Sequence, residues 1–219
     1  MLTLTEELLL LAIHDEKGTI IFASTGSIPY GLGATLLLDL AEKKAIELID
    51  NQINLIEKPI NTPNFLNLAF EILNLRSQSM SFKDAILELG INYNKIKDEI
   101  LNNLVLNGIL KRQSQKIMFL IKFSKYPTLD PAEELKTRDQ IHKAVLMSVK
   151  PNDRLHTLIC LVEVCNLIEE VFPKNQRAMA KKNIKIMMQD ENHSNIVREI
   201  VMEVSTMVAN SVIVTTIIT

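Results

Sequence analysis

A chain of 219 residues with 47% hydrophobic content suits one domain or two small ones and supplies enough apolar surface for a sizeable core. Its 24 Lys and Arg stand against 26 Asp and Glu, a net charge of −2 that excludes global attraction to polyanions, so contact with nucleic acid or an anionic membrane must use a local patch. Leu, Ile, Asn and Lys recur and only six Gly and seven Pro punctuate turns, which favours helices over strands.

Thr3 followed by Glu6 predicts a capping box, and the unbroken apolar run 8–13 covers every side of the helix it opens. That helix should be buried and the rest of the chain should wrap it. Glu6 and Glu7 precede the leucines and no basic region stands before them, which is unlike a secretory signal. Asp15 to Gly18 reads as a turn, 19–23 as an extended stretch, and 24–33 as a loop of small residues leading into a helix from about 32 to 45. A glycine-rich entry of this kind offers free N–H groups to an anion.

Residues 46–57 alternate on either side of Asp50-Asn51, a hairpin turn pair. Thr62 before Pro63 predicts a capped helix to about Leu75, Ser81 caps another ending near Gly90, and Ile96, Ile100, Leu101 and Leu104 mark a third over 94–107, closed by Gly108. The stretch 109–123 alternates again, with Ile117, Phe119, Ile121 and Phe123 on one face and Met118, Leu120 and Lys122 on the other. It predicts a second hairpin with its turn at Lys111 to Lys116.

Beyond Asp130 four helices are expected, at about 131–148, 153–171, 175–189 and 193–217. The charge-free stretch from Val204 to the end is 16 residues long, short of the roughly 20 a membrane-spanning helix needs, and reads as the last core helix. With no repeat or linker, the expectation is a mainly α, single-domain helical bundle over 1–219, wrapped by amphipathic helices and carrying one or two small β-hairpins.

Catalytic chemistry finds no foothold. His14, His142, His156 and His193 are scattered without paired ligand spacing, and there is no phosphate-binding loop, nucleophile elbow or dinucleotide fingerprint. No metal, cofactor or enzymatic activity is expected. Cys160 and Cys165 lie five apart on one helical pattern, about 140° apart around the axis, and read as buried reduced thiols in a cytosolic protein.

The most unusual local feature is the second hairpin, which carries Lys111, Arg112, Lys116, Lys122 and Lys125 between 109 and 126 and no acid. Cations interleaved with apolar residues such as Met118 and Leu120 suit a membrane surface, and equally a solvated hairpin with one face on the core. A second basic set, Lys174, Arg177, Lys181 and Lys185, lines one face of a helix and reads as solvated.

The segments LTLTEELLLLAIHDEKG (2–18), GLGATLLLDLAEKKAIEL (31–48), NNLVLNGIL (102–110), IMFLIKF (117–123) and RLHTLICLVEVCNLIEEVF (154–172) together resemble the Golgi phosphoprotein 3 family, in the family's order and over nearly the whole chain. The resemblance implies a peripheral membrane protein that binds phosphatidylinositol 4-phosphate, with a core bundle and a protruding hairpin that aids attachment. It places the headgroup pocket at Ala23, Gly31, Gly33, Asn94 and Lys97, and the membrane-contacting hairpin at Lys111, Arg112, Lys116, Met118, Leu120 and Lys122.

The family's tryptophan falls at Ala23, and its arginines fall at Gly33, Asn94 and Lys97, so one ammonium replaces a guanidinium clamp. The basic N-terminal extension of eukaryotic members is missing ahead of Thr3, so a coat-adaptor role is not expected. The implied partners are anionic lipids, with membrane-protein tails beside them, and the implied location is cytoplasmic and peripheral to a membrane, the cytosolic face of the Golgi in a eukaryote.

Two other readings share the pattern. Three short helices followed by a basic hairpin have the order of a winged-helix nucleic-acid-binding module, although the third helix sets Lys95 and Lys97 against Asp98 and Glu99. A helical adaptor for other proteins fits the same features.

Overall fold

In the computed structural model, which describes residues 1–117, 121–190 and 193–217, the chain is organised around its first helix, α1 (Leu4–Leu11). Thr3 Oγ1 accepts the Glu6 N–H at 3.1 Å and the Glu6 carboxylate accepts the Thr3 N–H at 2.9 Å, which closes the capping box. Leu8, Leu9, Leu10 and Leu11 are each no more than 2% exposed, and burial on all sides of this order stabilises by about 1.5–3 kcal/mol per leucine. The wrapping layer against it comes from α2 (Ile28–Glu42), α6 (Ala132–Leu146) and α7 (Asp153–Val164).

Between α1 and α2 the backbone departs from expectation. Ile20 pairs with Ile13 in a single bridge, and 22–24 form a 3₁₀ turn rather than strand and loop. Helix α2 begins at Ile28, four residues early, because Pro29 supplies the fixed φ that suits a first helical turn. Gly31 and Gly33 therefore lie inside a helix. A Cβ at Gly31 would sit 2.5 Å from Cys165 Sγ, and one at Gly33 would sit 3.1 Å from the Ile86 carbonyl oxygen, so these glycines let α2 approach its neighbours closely.

Strands β1 (Ile46–Ile49) and β2 (Gln52–Leu55) form the expected hairpin, and Asp50 and Asn51 both have positive φ, 47° and 58°, as a two-residue hairpin turn demands. A third strand, β3 (Ser79–Ser81), extends this sheet with Ile53 opposite Met80. Helices α3 (Asn64–Arg76), α4 (Phe82–Ile91) and α5 (Tyr93–Leu106) follow. Ser81 caps α4 by accepting the Asp84 N–H at 3.1 Å, whereas Pro63 takes the cap position of α3 and the Thr62 hydroxyl makes no capping bond. Ile96, Ile100, Leu101 and Leu104 are the buried stripe of α5, and Gly108 ends it with φ +72°.

The second hairpin pairs β4 (Gln113–Ile117) with β5 (Ile121–Lys125), Ile117 standing opposite Ile121 and Lys116 opposite Lys122. The turn expected at Lys111 to Lys116 is corrected, since 113–116 are strand and the connection falls between Ile117 and Ile121. Met118 and Leu120 are in that connection and lie outside the described residues. A three-residue connection preserves odd–even parity, so the alternation of 117–123 passes through it unbroken and gives no sign of a turn.

The root of this hairpin is tied to the charged turn behind α1. The Tyr126 N–H donates to Gly18 O at 2.8 Å and the Thr128 N–H to Asp15 O at 3.0 Å. Gly18, at φ +61°, leaves no room for a Cβ against Tyr126 and Pro127.

The expected helix over 153–171 is two helices, α7 and α8 (Ile168–Val171). Asn166 adopts φ 58° and the Leu167 N–H returns to Val162 O at 2.8 Å, a left-handed helix ending. Helices α9 (Arg177–Met187) and α10 (Asn195–Ile217) complete the chain, with Val197, Ile200, Val201, Val204 and Met207 of α10 facing the core. Among the described residues no helix is long and apolar enough to cross a membrane.

Candidate functional site

The hairpin collects five cations without an acid, and its register sets Lys116 against Lys122. At the root, the Arg112 guanidinium lies 5.5 Å from the centre of the Tyr126 ring, donates to the Tyr126 hydroxyl at 3.2 Å and bonds to Asn102 Oδ1. Lys111 and Arg112 are both exposed.

The other expected site residues divide three ways. Ala23, on the 3₁₀ turn, lines a cleft of about 360 Å3 with Glu163, Glu169, Arg177 and Lys181. The cations of that cleft are answered by acids, Arg177 Nη1 donating to Glu169 Oε2 at 2.8 Å and Lys181 Nζ lying 3.8 Å from Glu163 Oε1. Part of the basic face of α9 is thus paired rather than solvated. Beside Ala23, Phe22 is 93% exposed. Gly31 and Gly33 are buried on opposite faces of α2, against Cys165 and Ile86.

Asn94 and Lys97 share the first turn of α5. Lys97 Nζ lies 5.2 Å from the centre of the Tyr93 ring and 3.4 Å from Asn94 Oδ1. Asn92 gives no side-chain cap to this helix and instead donates to Glu88 O at 2.9 Å, so the first N–H groups of α5 remain available to an acceptor. The first turn of α2 passes the end of α4, where a Cβ at Gly90 would stand 3.7 Å from the Tyr30 ring, an ordinary contact. Burial, with Asp98 nearby, pushes the Tyr93 hydroxyl up to about 12 and keeps it a neutral donor. Asn94 and Lys97 thus sit together on α5, with Ala23 on a separate cleft.

The histidines are not all scattered. His156 and His193 stack with ring centres 3.7 Å apart; His193 Nδ1 lies 2.8 Å from Asp153 Oδ1 and His156 Nε2 lies 3.0 Å from Met187 O. Burial, foremost, lowers the proton affinity of His156, and the neighbouring His193 adds to this. No sequence spacing signals this pair, which only the packing of α7 against the start of α10 creates. Among the described residues no group of three or more His, Cys, Asp or Glu is placed to hold a metal. Burial also pushes the thiols of Cys160 and Cys165 up to about 12, so neither is a reactive thiolate near neutral pH.

A family model described as Golgi phosphoprotein 3 matches residues 4–204. The chain is also similar to vacuolar protein sorting-associated protein 74 of Schizosaccharomyces pombe, 26% identical over 166 residues, which is 66% of this chain and 47% of that protein. It spans about half the length of the curated relative it matches.

Proposed function

The chain belongs to the Golgi phosphoprotein 3 family, and from that premise we propose that it is a non-enzymatic peripheral membrane protein which docks on anionic phospholipid headgroups through the basic hairpin. The observation that carries this reading is the hairpin itself, which holds Lys111, Arg112, Lys116, Lys122 and Lys125 and no Asp or Glu between 109 and 126 of the sequence, with residue 116 opposite 122 in register. Each basic residue near an anionic surface contributes about 1 kcal/mol. Met118 and Leu120 are the apolar residues offered to the interface.

Phosphatidylinositol 4-phosphate is the headgroup carried over from the family. The place that supports its phosphate best is the start of α5, where Lys97 and Asn94 stand beside uncapped N–H groups. Ala23, Gly31 and Gly33 add no cation to that pocket. One ammonium lacks the bidentate fit of a guanidinium, so attraction here follows charge more than headgroup identity. The cytosolic face of a membrane, the Golgi in a eukaryote, is the corresponding location, and membrane-protein tails are the further partners proposed.

A lipid panel tests the headgroup assignment. Vesicles containing phosphatidylinositol 4-phosphate and vesicles of simple anionic lipid, matched in charge, should bind the protein within a few-fold of each other. A strong preference for the phosphoinositide would show a stereospecific pocket, contrary to this reading, and absence of binding to both would remove the lipid-docking function.

A further inference from the structure

A second cleft, of about 590 Å3, opens at the root of the hairpin between the start of α3, one face of α5 and Arg112. Its α5 residues Glu99, Asn102, Asn103 and Leu106 follow at steps of three, one and three residues and so share a face. Arg112 spends one Nη on Asn102 and Tyr126, while its Nε and other Nη have no partner among the described residues. Asn103 Nδ2 is held by Glu6 Oε1 at 2.7 Å.

Thr62 lines the cleft as well, and its hydroxyl oxygen is shut off from bulk water with no partner among the described residues. The uncapped first N–H groups of α3 lie on the same side. Glu99, without an ion pair among the described residues, supplies the opposite charge about 4.5 Å of helix rise before Asn102.

A guanidinium with spare donors and an unpaired carboxylate, set apart in one cleft, match a ligand that carries both charges. We propose that this cleft binds an amine-bearing phospholipid headgroup of the phosphoethanolamine class. Its phosphate is received by Arg112 beside the start of α3, its ammonium by Glu99, and its glycerol end lies along Leu106. The position at the root of the hairpin makes the membrane the source, so the inference rests on the docking reading above.

Amide shifts on titration with soluble glycerophosphoethanolamine and, separately, glycerophosphate test the cleft. Shifts should centre on 62, 64, 65, 99–103 and 112. Glu99→Gln, a near-isosteric change at a half-buried position checked by its melting temperature, should weaken glycerophosphoethanolamine about tenfold and should not weaken glycerophosphate. Arg112→Gln should weaken both ligands.

Shifts located elsewhere, or indifference to Glu99→Gln, would overturn the proposal. Vesicles separate it from the docking reading. If the protein sediments with anionic vesicles but shows no cleft shifts and does not distinguish ethanolamine from choline lipids at matched charge, the cleft assignment fails and docking stands. If the soluble headgroup binds and no vesicle does, the lipid source is wrong.

Discussion

Asp39 Oδ2 accepts both the hydroxyl of Thr5 at 2.6 Å and its backbone N–H at 2.9 Å, so a carboxylate on α2 caps the first turn of α1. Asp39 Oδ1 takes the Leu4 N–H at 3.0 Å. The two helices at the centre of the fold are thus joined by a buried group as well as by leucines. Burial raises the Asp39 carboxyl to about 6 while its three donors pull the other way. Asp39→Ala strands those donors in the core and should cost about 3 kcal/mol, read as a lower urea midpoint. Asp39→Asn should recover only part of this, because its amide brings a donor where donors already converge.

Close approach of α2 to Cys165 gives a second prediction. Gly31→Ala places a methyl 2.5 Å from a buried sulfur and should destabilise by about 1–3 kcal/mol. Adding Cys165→Ala removes the obstacle, so the double variant should be more stable than the sum of the single changes implies, by roughly 1 kcal/mol in a double-mutant cycle. Simple additivity would mean that some other contact limits the helix approach.

Acid sensitivity should come from His156. Its folded proton affinity is lowered by burial, so as pH falls through about 6.5 the unfolded chain takes up a proton that the folded chain refuses. The stability associated with neutral His156 is therefore complete above that range and declines below it. Urea midpoints between pH 7.5 and 5 should fall in the wild type and fall less in His156→Gln. Asp153 and Asp190 stand near the partner ring, and His193 faces His156 directly, so equal slopes in the two proteins would assign the acid sensitivity to other groups.

Lys122→Glu separates hairpin stability from binding. In the register position opposite residue 116, an acid in place of a lysine is the pairing that favours antiparallel strands, by about 0.2–1 kcal/mol. The same change should weaken attachment to anionic vesicles several-fold. Hydrogen exchange along 113–117 reads the first effect and vesicle sedimentation the second. Loss of both protection and binding would reduce the variant to an unfolded hairpin.

Features written in short range were legible in the residues. The capping box of Thr3 and Glu6, the turn at Asp50-Asn51, the buried stripe of α5 and the all-round leucines of α1 each depend on neighbours within a turn or two. Gly31 and Gly33 misread as loop because the atoms they make room for, on Cys165 and Ile86, are remote in sequence. Asn166 ends α7 inside an apolar run that shows no break in its pattern. The hairpin was visible but its turn was not, since parity survives the connection. At the site, the cation count of the hairpin was plain, whereas the cleft joining Thr62, Glu99 and Arg112 exists only through tertiary packing.

Vesicle sedimentation at low and high salt, comparing wild type with the triple variant Lys111→Glu, Lys116→Glu and Lys122→Glu, tests the membrane-docking claim most directly. The wild type should bind anionic but not phosphatidylcholine vesicles at low salt and release as salt rises, and the variant should bind at least about a hundredfold more weakly. Equal binding by the two proteins, or binding indifferent to salt and lipid charge, would contradict the account.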